Sequence, residues 1–272
     1  MWKNIGKGGI WFAIYFGLQN IFSIIFALIY LGMNMDMVPT AEDVDILANF
    51  VVEVVMQTIM PALIASSLAM ILIYVIHRRV IKEPLHIKTV DWQKIVFFAG
   101  VACVLNVLCN LLVTFLSNVV PPAWMGALEN STDAVSMGQP FWVLLLGTGI
   151  LVPIMEELTF RYGIHGYTAK SNVVLAYVLS SIVFGIMHGN PVQIIYAALM
   201  GFILAWIYQK TGNLWYPITI HAVNNSMSLV STLMVSETMY LVMTTAIGLL
   251  IVFASIICFD NVKRIFHKPI AK

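Results

Sequence analysis

Eight apolar stretches, at about 9–32, 49–76, 94–118, 140–162, 172–189, 191–209, 214–234 and 239–259, take up most of this chain. A helix needs roughly 20 residues to cross the hydrocarbon core of a bilayer. Lipid offers a bare backbone no hydrogen-bond partner, so only helices or closed barrels span it. These runs are too long and too non-alternating for barrel strands. The predicted fold is therefore all-α, a polytopic integral membrane bundle of about eight transmembrane helices, with residues 1–272 as a single membrane domain. Composition agrees: 10% of residues are charged, against roughly 25% in a soluble domain. A net charge of +1, with no basic cluster beside aromatics, argues against a nucleic-acid partner. Cys103, Cys109 and Cys258 all fall in apolar runs without CxxC spacing and read as packing or lipid-facing residues.

Charge predicts the topology. With the N-terminus inside, the inner segments hold Lys3, Lys7, Arg78, Arg79, Lys82, Lys88, Lys94, Arg161, Lys170, Lys210, Lys263, Arg264, Lys268 and Lys272, which are all 14 basic residues. The outer loops hold acids alone, among them Asp36, Glu42, Asp43, Asp45, Glu129, Asp133 and Glu237. Such segregation predicts a multi-pass cell-membrane protein with both termini cytoplasmic. The first apolar run is too long for a signal-peptide core and reads as an uncleaved span. The 119–139 loop, with Pro121-Pro122 and Trp124, is expected along the outer interface.

Three polar clusters interrupt the apolar runs. Glu156-Glu157-Leu-Thr-Phe-Arg161 follows 15 uncharged residues, Phe141 to Met155. Phe184-Gly-Ile-Met-His188 and His221-Ala-Val-Asn-Asn225 lie in later spans. An ionisable group inside a bilayer costs at least about 2.5 kcal/mol and by default marks a functional site. Residues four apart share a helix face, so Glu157 lies over Arg161, Phe184 over His188 and His221 over Asn225. Glu157 ahead of Arg161 is the favourable order for an ion pair. Glu156, about 100° round the helix, has no such partner and is left free to take a proton, as a general base must. At 1.5 Å per residue, Glu156 lies about 20 Å and His188 about 27 Å from the turn near Lys170, so the two reach comparable depth.

Together these residues make a hydrolytic set. His188 and His221 can hold a divalent metal, zinc above all, whose bound water Glu156 deprotonates. Alternatively they orient a metal-free water and donate to the developing oxyanion, to which Asn225 also offers an amide N–H. Phe184 is expected to pack beside His188. Pro217 is expected to loosen its helix one turn before His221 by removing a backbone hydrogen bond. A site reached from the inner half of the bilayer would favour cleavage on the cytoplasmic side. Asn106 and Asn110, one turn apart, are expected to bond neighbouring helices, and His165 and Asn224 to serve packing alone.

At these residues the sequence resembles the CPBP family of intramembrane proteases, also called the CAAX-protease and bacteriocin-processing (Abi) family. Its pattern of EExxxR, FxxxH and HxxxN is met in order on separate spans, within a core at about 140–230 that comprises the fourth to seventh helices. The resemblance implies that Glu156 activates water while His188, His221 and Asn225 bind metal or stabilise the oxyanion. It implies supporting roles for Glu157 and Arg161. The implied activity is an intramembrane endopeptidase acting on a membrane-anchored or lipid-modified protein or peptide. The alternative is a non-catalytic immunity or regulatory protein that uses the same fold as a binding platform.

Overall fold

The computed structural model describes residues 1–39, 44–81, 89–136, 138–234 and 236–267. Glu42, Asp43, Lys82, Lys88, Lys268 and Lys272 of the charge analysis lie outside those residues. Among the described residues, besides a 3-10 turn at Met35–Met37, ten helices follow one another: α1 (Trp2–Met33), α2 (Val44–Ile81), α3 (Trp92–Ser117), α4 (Pro122–Ser136), α5 (Phe141–Ala169), α6 (Val173–Ile186), α7 (Pro191–Thr211), α8 (Trp215–Ser231), α9 (Glu237–Cys258) and α10 (Asp260–His267). Among the described residues there is no strand. Among the described residues, six helices (α1, α2, α3, α5, α7 and α9) are long and apolar enough to cross a membrane, and α6 is a shorter apolar one. With α8, they correspond to the eight expected spans.

α5 is the hub, packed against α1, α2, α6 and α8, while α3 lies between α8 and α9 and α6 pairs with α7. Glycines permit the close crossings. A Cβ on Gly163 would lie 2.5 Å from Trp11 Cβ, so α1 sits directly on the α5 backbone. A Cβ on Gly185 would meet the Ile194 carbonyl oxygen at 2.7 Å, which brings α6 equally close to α7.

Two elements were not legible as helices. The 119–139 segment forms α4, which has no buried residue and leans on α2 and α7. α10 turns its apolar side inward, with Val262 buried beside Phe97 and Ile207.

Candidate active site

α5 carries the paired glutamates on a short α-helical stretch, Val152–Glu157, between two stretches bonded i→i+5, Leu145–Leu151 and Leu158–His165. Such widened turns inside helices frequently accompany functional sites. Every residue from Leu158 to His165 is buried. α5 runs past the expected end of its span, near 162, to Ala169.

The two glutamates have different surroundings. Glu157 is fully buried; its Oε1 lies 3.1 Å from Arg161 Nη1 and 2.8 Å from His221 Nδ1. Arg161, also fully buried, donates from Nη2 to the Gly201 carbonyl at 3.4 Å and lies 4.4 Å from the Phe184 ring centroid. An unpaired cation here would be severely penalised, and the Glu157 carboxylate and the ring face offset that cost. Glu156 has looser partners: Tyr15 donates its hydroxyl to Oε1 at 3.4 Å, and His221 Nε2 lies 3.5 Å from Oε2.

Hydrogen-bond chemistry fixes where the histidine protons sit. A carboxylate only accepts, so His221 Nδ1 donates to Glu157 and Nε2 faces Glu156. A carbonyl likewise only accepts. His188 Nδ1 therefore donates to the Phe184 carbonyl at 2.8 Å, leaving the Nε2 lone pair as the ring's acceptor toward the cavity it lines. Neutral His188 is thus an acceptor for water, and the donor role considered from the sequence requires it to take up a proton. Its placement is local: α6 ends at Ile186, Gly189 reverses the chain at φ 70°, and the Asn190 side chain caps α7 by accepting from Val192 and Gln193.

Phe184 ties the three motifs together, with ring centroids 4.9 Å from His188 and 5.6 Å from His221 and the Arg161 cation over its face. Asn225 donates to the Thr148 carbonyl at 3.2 Å and accepts from Asn224 at 3.3 Å, so one amide hydrogen stays uncommitted. Asn106 bonds Asn224, Ser228 and Tyr240, holding α3, α8 and α9 in register as expected, whereas the Asn110 side chain bonds Asn106 of its own helix and lines the cavity described below. Pro217 does not loosen α8. The helix starts at Trp215, which puts the proline in the first turn, where its missing N–H leaves no bond unmade.

Glu156, Phe184, His188, His221 and Asn225 line one cavity of about 500 Å³; Glu157 and Arg161 stand behind it. Tyr15, Asn224 and Gln193 also line it and were not singled out as site residues. For Tyr15 a signal exists: Tyr15 and Gln19 are polar groups one turn apart in an apolar span. His165, taken as packing, is buried with Nε2 3.0 Å from Gln209 Oε1.

Residues 138–227, which hold all three motifs, match the family described as "Type II CAAX prenyl endopeptidase Rce1-like". Over these residues the sequence is similar to that family. The chain is 32% identical over 99 residues to "Putative membrane peptidase YdiL" of Bacillus subtilis, covering 36% of this chain and 41% of that protein. It is 28% identical over 159 residues to the UPF0177 protein YxdF of Lactococcus lactis, covering 57% and 87%. It is 31% identical over 106 residues to the UPF0177 protein YajF of the same organism, covering 38% and 49%. The match thus spans less than half of YdiL and of YajF. No solved structure matches the chain.

The CAAX-protease resemblance implied a divalent metal on His188 and His221, which the donor set tests. Among the described residues, no three His, Cys, Asp or Glu side chains stand together as a ligand shell. His221 Nε2 faces the Glu156 carboxylate at 3.5 Å, beyond the usual hydrogen-bond distance. No step below passes through an ion.

Proposed function

We propose that this chain is an intramembrane endopeptidase, in which Glu156 activates a water against a peptide bond of a membrane-anchored or lipid-modified substrate. The observation that carries the reading is the Glu156 carboxyl, 8% exposed, at the wall of a cavity of mixed polar and apolar lining within the helical bundle and beside His221. Glu156 takes a proton from water as the water oxygen bonds to the carbonyl carbon. The oxyanion is met by the free Asn225 amide hydrogen and by His221, protonated at Nε2. His188 Nε2 accepts the water's other hydrogen bond and aims its lone pair. The C–N bond then breaks, the proton on Glu156 passes to the leaving nitrogen, and a carboxylic acid and an amine result.

Charge bookkeeping supports the roles. Glu157 and Arg161 carry opposite charges 3.1 Å apart and offset each other, which leaves Glu156 outside that pair. Glu157 and Arg161 hold His221 and Phe184 in place and take no part in bond making.

Comparing membrane peptides from cells with the native chain and with Glu156→Ala, His188→Ala or His221→Ala tests the reading. The proposal expects the same fragments to vanish in all three variants at unchanged protein level. Fragments that persist, with any phenotype intact, would instead mean a non-catalytic binding platform.

A further inference from the structure

The catalytic cavity is closed on one side and thinly covered on the other. Toward the α5–α6 turn, the buried run Leu158–His165 is backed by Trp11, Tyr74, His77 and Tyr162, whose rings pack edge to face with centroids 5.0 to 6.3 Å apart. In the other direction the cavity reaches α4, where Ser131, Thr132, Val135 and Ser136 form its wall. α4 is a weak cover, since none of its residues is buried and Thr132 is exposed. Gly138, at φ 73°, and Pro140 link it to α5.

The two ends of the bundle differ in charge. The end beyond the aromatic plug holds the first residues of α1, the α5–α6 turn, the α7–α8 turn and α10. There Asn4 donates to Ser171 at 2.7 Å, and Asn261 to Gln93 at 3.1 Å. Every Lys and Arg among the described residues belongs to that end except Arg161, which is buried in the site. The α4 end presents Asp36, Asp45, Glu53, Glu129, Asp133 and Glu237 without one basic residue. Positive charge marks the cytoplasmic side of a membrane protein.

We infer that the substrate reaches Glu156 from the outer face of the membrane, past α4, and that Ser131, Thr132, Val135 and Ser136 contact its chain. The occupant is an extended peptide segment on the outer flank of a membrane-anchored protein. A cavity of about 500 Å³ suits a ligand of drug size, hence a few residues of chain. This rests on the endopeptidase reading and reverses the cytoplasmic-side cleavage that the sequence favoured.

Cysteine accessibility tests the sidedness without needing activity. Thr132→Cys and, as the control at the opposite end, Lys170→Cys are each placed in the full chain and treated with a membrane-impermeant maleimide. Mass spectrometry reads the labelled position, so Cys103, Cys109 and Cys258 remain. Intact cells are expected to label Thr132→Cys at least tenfold faster than Lys170→Cys, and inverted vesicles to reverse the order. The same pattern is expected when Glu156→Gln is added, so a failure of the protease reading leaves this result standing. Labelling of Thr132→Cys from inverted vesicles alone would overturn the inference. Where labelling follows the expected pattern, the adduct at Thr132→Cys should also cut fragment release at least tenfold. Unaltered release would remove α4 from the substrate's path.

Discussion

His221 Nδ1 and Arg161 Nη1 converge on one oxygen of Glu157, at 2.8 and 3.1 Å. That oxygen contacts the imidazole and the guanidinium together, which supports the positioning role proposed for the second glutamate of the pair. Replacing Glu157 by Ala leaves a buried cation unpaired, at a cost of about 3–5 kcal/mol. Thermal unfolding in detergent should show a large loss of stability for Glu157→Ala, and much less for Glu156→Gln.

Phe184 is the joint between the three motifs, with Arg161 over its face and both histidines at its edge. Phe184→Ala should cost about 3–5 kcal/mol of stability. Phe184→Leu keeps most of the volume but loses the ring face that Arg161 sits on. It should recover much of the stability and leave cleavage impaired, read as fragment release per folded molecule.

Tyr15 reaches Glu156 Oε1 with a long hydrogen bond of 3.4 Å. Tyr15→Phe removes it without opening a cavity. A contact of about 1 kcal/mol corresponds to roughly a fivefold change in rate. Cleavage should fall by about that factor while the unfolding temperature stays put; a loss of a hundredfold would make Tyr15 a catalytic group.

The donor arrangement also predicts a response to chelation. The proposed mechanism passes no step through an ion, so prolonged EDTA treatment should leave fragment release unchanged. Loss of activity, restored by zinc, would mean that His188, His221 and Glu156 close around an ion, against the metal-free account.

The convergence of the candidate site was largely legible because its spacing survives folding. Glu157 meets Arg161, and Phe184 meets His188, one turn apart, as the i,i+4 rule requires. The separation of Glu156 from that ion pair followed from the same rule. What escaped the sequence depends on contacts between distant segments. Tyr15 and Gln19 mark a polar stripe on the first span, but which site that stripe faces depends on its packing against α5. α4 looked like a loop because its apolar content is low and its partners, α2 and α7, are far away in the chain. Pro217 was misjudged although the span's start was placed within a residue: so close to Trp215, its missing N–H falls among the first-turn groups that have no partner within the helix.

The most direct test of the account is hydrolysis in heavy-oxygen water, comparing membranes that hold the native chain with membranes that hold Glu156→Gln at equal folded level. General-base loss should slow the reaction at least about a hundredfold. Fragments with heavy oxygen at a new carboxyl terminus should therefore form with the native chain and be nearly absent with Glu156→Gln. Equal labelling in both membranes would contradict Glu156 as the group that activates water.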